Sequence, residues 1–222
     1  MLKRLTLVAV TALAASACSY NSYGTAENRS IEGSGMVASR NVDVPGDADF
    51  SGMMVGVDGY VGRDLSVSGA TVRAHVDVGR DLSAEGARVR FRGDVGGNAD
   101  VAAATAELQA DIAGRLVIAG ARFTIDGSVQ GDTEANGARM DFRGDFVGPV
   151  HIVGEGDRES GRAILAGRFL GGGRVCATEI EIRRQAEFDG DFLFIAEERP
   201  AGLPQSARYE RLDGRECDRI RL

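Results

Sequence analysis

Asp64 and Asp81 stand seventeen residues apart in the same tetrapeptide, GRDL, and Asp94, Asp132, Asp145 and Asp191 also follow a glycine. Two carboxylates held together could serve as acid and base on a glycosidic bond, or share a hard cation such as calcium. With 33 acidic residues in 222, however, chance pairs are common, so residue type alone decides little. A basic set recurs on the same interval. Arg88, Arg122 and Arg139 are separated by multiples of seventeen, and Arg73 and Arg90 keep the same step beside them. Planar guanidinium groups in register suit carboxylate or sulfate ligands. The stripe is therefore a candidate binding face for an acidic glycan or another envelope protein. Thr105, Glu107, Thr124 and Asp141 interrupt it, and its plainer reading is a solvated face with cross-coil ion pairs.

Other chemistry is thinly represented. The two histidines, His75 and His151, fall in outward-facing phase between apolar neighbours. No Ser-His-Asp context, phosphate-binding loop, dinucleotide fingerprint, EF-hand loop or calcium nonapeptide array is present. No catalytic residue, cofactor or metal ligand is assigned.

The elements that must position these residues share one period. VGRDLSVSGATVRAHVD, from Val61, is followed at once by VGRDLSAEGARVRFRGD. One column reads Val44, Val61, Val78, Val95, Ile112, Val129, Phe146, and every member is apolar. Four further columns keep phase, beginning at Ala48, Phe50, Val55 and Val57. Period two within a segment is strand alternation, and period seventeen between segments is stacking. The fold expected is all-β: a single-stranded parallel β-helix, right-handed and triangular, with about 17 residues per coil and irregular C-terminal coils or a cap. Glycine marks the corners at Gly52, Gly69, Gly86, Gly120 and Gly137, with Ala103 in the missing turn. A second bend, at GRDL and its counterparts, is expected to use positive φ at glycine. Residues 101–114 are rich in Ala, Glu and Leu yet hold phase in all five columns, so they read as a coil rather than a helix.

The ends differ from this body. Residues 1–17 carry Lys3 and Arg4, then an apolar run from Leu5 to Ala15, and read as a signal peptide. The ending Ala15-Ser-Ala-Cys18 resembles the bacterial lipobox, which implies lipidation of Cys18; ordinary cleavage after Ala17 is the alternative. Ser19 follows, without the Asp of an inner-membrane retention signal, so an outer-membrane lipoprotein facing periplasm or surface is expected. Residues 18–34 read as a flexible tether, 35–154 as regular coils, 155–197 as irregular terminal coils, and 198–222 as a tail or cap. Cys176 and Cys217 remain to pair as a disulfide in an oxidising compartment.

The segments VGRDLSVSG, VGRDLSAEG and RGDVGGNADV resemble the glycine-punctuated coils of bactofilins. The resemblance covers about residues 42–154. It implies a right-handed β-helix that polymerises end to end. A fainter likeness to the β-rich putative adhesin heads of bacterial lipoproteins fits the export signal.

Composition sets the outer limits. Tryptophan is absent, aromatics are 6%, and glycine is 31 of 222, which suits a narrow, regularly turning structure. The formal charge of -7 becomes -9 once Lys3 and Arg4 are removed, leaving 24 arginines against 33 acids. That balance argues against nucleic acid as a partner. The function expected is non-catalytic: a cell-envelope lipoprotein with a structural, scaffolding or binding role, held to the membrane through its lipid and able to assemble with itself. The alternative is a β-helical enzyme acting on a polysaccharide.

Overall fold

A chain that alternates apolar and polar residues and restarts every seventeen can bury its apolar set by winding back over itself. It does so in the computed structural model, which describes residues 19–25, 29–154, 161–212 and 217. The expected signal segment and Cys18 lie outside the described residues. The fold is a parallel β-solenoid of about ten coils.

Each regular coil is one 14-residue strand and a three-residue turn. The strands are β1 Ser19–Tyr23, β2 Ser30–Val44, β3 Ala48–Val61, β4 Leu65–Val78, β5 Leu82–Val95, β6 Ala99–Ile112, β7 Leu116–Val129 and β8 Thr133–Phe146. From β2 to β8 every neighbour is parallel, and Ala48 pairs with Leu65, Leu65 with Leu82, and so on at steps of seventeen. The helix-like stretch becomes β6, because coil-to-coil pairing and burial outweigh local propensity.

The strand bends twice to make three faces. One bend lies at residues such as Ala70 and Ala87, where the pairing skips a position. The other lies near Gly59, Gly93, Gly127 and Gly144, whose φ runs from 120° to 140°. This differs from the expected placement. Positive φ belongs to that column, whereas Gly62, Gly79 and Gly96 in the GRDL-type turns are not among the positive-φ glycines. The turn and corner glycines are required by close approach instead: a Cβ on Gly86 would collide with the Gly69 carbonyl oxygen of the coil below.

All five apolar columns are buried, none of their apolar members more than 6% exposed. Thr133, between Leu116 and Val150, is the polar exception and is fully buried. Bulk shifts along the axis. Val and Ala dominate the early coils, while Phe146, Phe169 and Phe188 stack face to face at 5.0 and 5.1 Å in the later ones.

The two ends differ from the regular body, and the amino-terminal one departs from the sequence reading. Residues 19–23 and 30–34, expected within a flexible tether, are paired: β1 runs antiparallel to β2, from Ser19 opposite Ser34 to Tyr23 opposite Ser30. This strand satisfies backbone groups that the first coil would otherwise expose.

At the other end the phase is displaced rather than lost. The strands are β9 Val150–Gly154, β10 Arg162–Leu165, β11 Arg168–Phe169, β12 Gly173–Cys176, β13 Glu179–Ile182, β14 Glu187–Phe188, β15 Phe192–Ala196 and β16 Arg208–Arg211. Asp145 pairs with Arg168 and Val150 with Gly173, steps of 23 in place of 17. The six extra residues lie between β9 and β10. Phe169 pairs with Phe188 at a step of 19, two more than the period. All these coils remain parallel, and β16 adds a last strand beside β15. Cys176 and Cys217 form a disulfide across a sequence separation of 41, packed with Ile195 and Leu212.

Candidate functional site

Outward side chains on the second face form three ladders, because alternate residues of a strand share a face and the coils are in register. The first ladder runs Met54, Thr71, Arg88, Thr105, Arg122, Arg139, Arg162. The second runs Gly56, Arg73, Arg90, Glu107, Thr124, Asp141, and the third Asp58, His75, Arg92, Gln109, Asp126, Arg143. All five arginines expected to line a binding face, Arg73, Arg88, Arg90, Arg122 and Arg139, are therefore on one face and exposed.

Their partners divide them. Arg90 reaches Glu107, Nε to Oε2 at 2.9 Å, and its charge is engaged. Arg73, Arg88, Arg122 and Arg139 have no ion-pair partner among the described residues. Arg122 and Arg139 are direct ladder neighbours, about 4.8 Å apart along the axis. Like charges so placed repel, and an anion laid across both would relieve that.

Two arginines of the face, Arg92 and Arg143, belong to the column of His75. Arg92 donates through Nε to Gln109 Oε1 at 2.7 Å. Arg143 is paired with Asp141, whose hydrogen bond, followed by its charge, holds the guanidinium above its ordinary range. Arg162 extends the first ladder by one coil and binds Glu181 at 2.6 Å, which raises its pKa in the same way. Sequence reasoning missed Arg162 because the preceding insertion moved it out of phase; allowing a six-residue slip recovers it. A hollow of about 280 Å³ lies over Arg73, His75, Arg90 and Arg92, with Glu107 and Gln109 on its border. His75 is exposed, its Nδ1 3.6 Å from Asp58.

The first face carries the opposite charge. A shallow groove of about 560 Å³ is lined by Glu32, Asp47, Asp49, Asp64, Asp81 and Asp100, with Arg115 the one cation lining it among the described residues. A glycan-cleaving reading would have to draw on these acids. Three of them are already engaged in holding one turn to the next. Asp47 accepts from the backbone N–H of Asp64 at 3.3 Å, Asp64 from that of Asp81, and Asp81 from that of Asn98. Arg63 and Arg80 also approach Asp47 and Asp64, at 3.5 and 3.7 Å. The stacked acids anticipated from the sequence are thus separated by backbone donors and neighbouring cations. Among the described residues no group of three or more His, Cys, Asp or Glu converges as a metal site.

His151 lies on the outer side of β9, where its Nδ1 is buried without a hydrogen-bond partner. Its ladder neighbours are Glu134 and Arg174, so it stands apart from the ladders of the arginine face.

Set against known protein families, curated proteins and solved structures, the chain finds no match.

Proposed function

We propose that this protein is a non-catalytic cell-envelope lipoprotein, anchored through Cys18 in the outer membrane, whose solenoid is a rigid scaffold presenting an arginine face to an acidic envelope glycan. The observation that carries the reading is charge segregation. Within a chain of net charge -7, one face gathers seven arginines against four acids over the coils from β3 to β8. Four of those arginines have no ion-pair partner among the described residues. Ladder spacing sets their charges at multiples of about 4.8 Å, a geometry suited to a linear polyanion. A rigid array also loses little conformational entropy when it binds.

Isothermal titration of residues 18–222, made in an oxidising compartment, against a carboxylated or sulfated linear polysaccharide tests this. Binding should weaken as salt rises, and neutral polysaccharide should not bind. The double substitution Arg122→Glu and Arg139→Glu should cost tenfold or more, roughly 1.4 kcal/mol. Equal binding by variant and parent would sink the glycan reading. A mass spectrum of the amino terminus from cell membranes checks the anchor, and an unmodified Cys18 would refute it.

End-to-end assembly is a second reading, favoured by the outer edge of the first coil. There β1 pairs with Ser30–Ser34, and among the described residues no strand pairs with Ala38–Val44 on that side. Any copy stacking there must use the second and third faces, because β1 occupies the first. Sedimentation velocity against concentration decides it: growth into long species supports stacking, and a constant monomer mass refutes it.

A further inference from the structure

The bend between the first and second faces forms a ridge along the solenoid. Its residues, coil by coil, are Met36, Met53, Ala70, Ala87, Ala104, Ala121 and Ala138. Five coils turn this corner with alanine, so the fold itself has no need of a large side chain there. The two coils nearest the amino terminus nevertheless carry methionine. Beside them the ladder pair Val37 and Met54 is also exposed. Met36 is 55% exposed, Val37 44%, Met53 59% and Met54 54%, four large apolar side chains on two adjoining coils. A contiguous apolar patch on a charged surface marks a contact.

The chain arrives at the same corner. Ser19 pairs with Ser34, two residues before Met36, and their hydroxyl oxygens are 2.8 Å apart. Ser19, the first described residue, therefore stands beside this patch. No helix among the described residues is long and apolar enough to cross a membrane.

We infer that the Met36, Val37, Met53 and Met54 corner seats in the membrane surface, so that the solenoid rises from the bilayer with its amino-terminal coils lowest. This rests on the proposed anchor at Cys18 and adds an orientation to it. A lipid anchor at one residue holds the chain to the membrane without setting its angle, and an apolar contact beside it fixes that angle. Methionine is suited to that contact because its flexible thioether adapts to disordered acyl chains. Ala121 would stand four coils from Met53, about 19 Å along the axis.

The test imposes the anchor chemically, so that its failure is separate from a failure of lipidation in the cell. With Cys176 and Cys217 oxidised, a maleimide-bearing lipid couples residues 18–222 to phosphatidylcholine vesicles through Cys18 alone. Methionine oxidation by dilute peroxide is then read by mass spectrometry. Met36, Met53 and Met54 should oxidise readily in the free chain and be protected severalfold on vesicles, while buried Met140 stays protected in both. Because the chain has no tryptophan, Met53→Trp and Ala121→Trp report position separately: brominated lipid should quench the first and spare the second. Val37→Trp replaces Met53→Trp if that variant loses its strand circular dichroism. Unprotected methionines on tethered protein, equal quenching at both positions, or protection that appears without vesicles as concentration rises would overturn the inference. The last result would mean that a second copy covers the patch.

Discussion

The carboxylate of Asp64 accepts a hydrogen bond from the backbone N–H of Asp81, one coil further on, at 3.2 Å. Asp81 repeats the arrangement with the N–H of Asn98 at 2.7 Å, and Asn98 with that of Arg115 at 3.0 Å. An amide side chain thus serves as well as a carboxylate, so hydrogen bonding is the requirement at this turn. Asp81→Ala should lower stability by about 1 kcal/mol, and Asp81→Asn by much less. Urea midpoints of the two variants check the order.

Thr133 offers a gain. Its hydroxyl is buried in a column of Leu and Val and has no hydrogen-bond partner. Burying such a group uncompensated costs on the order of 1–3 kcal/mol. Thr133→Val keeps the branched shape and removes the oxygen, so the variant should melt at a higher temperature than the parent. Calorimetry reads the shift directly.

Acid should loosen the junction across the insertion. Arg168 on β11 donates through Nε to Asp145 Oδ1 on β8 at 2.6 Å, with a second contact between Nη2 and Oδ2. The hydrogen bond from Arg168 is the main cause that holds the Asp145 carboxyl below its ordinary range. A depressed folded-state pKa contributes stability that is fully present above the usual aspartate value and is lost as pH falls through the lowered one. Melting temperature should therefore drop below about pH 4, and Asp145→Asn should flatten that limb. Thermal melts between neutral pH and pH 2 measure both.

The disulfide should govern the carboxyl-terminal coils more than the rest. Closing a loop of 41 residues constrains the unfolded chain by about 4 kcal/mol on the entropic account. Cys176→Ser is expected to leave the β3 to β8 amides protected while β15 and β16 exchange faster. Hydrogen exchange resolved by mass spectrometry distinguishes this local loosening from a uniform loss.

Much of the architecture was legible in residue order because the repeat is local. Val61, Val78 and Val95 are buried for the same reason at each coil, and a period of seventeen needs no tertiary information to be seen. The same regularity located Arg73, Arg88, Arg90, Arg122 and Arg139 on one face, and residues 99–112 kept phase despite their helix-forming composition. Two cysteines remaining in a sequence read as exported sufficed to suggest the pairing of Cys176 with Cys217.

Tertiary structure decided what depends on atoms brought close from different coils. Gly127 and Gly86 both lack room for a Cβ beneath the carbonyl of the neighbouring coil, yet only Gly127, at the second bend, has positive φ, which the bend decides and the period does not. Whether Asp64 repels Asp81 or supports it depends on where an N–H points. The pairing of Asp145 with Arg168 spans an insertion that breaks periodic reading, and Ser19 meets Ser34 through an antiparallel turnback that no parallel repeat announces. A period specifies which residues stack, but only the packed fold specifies what each side chain meets.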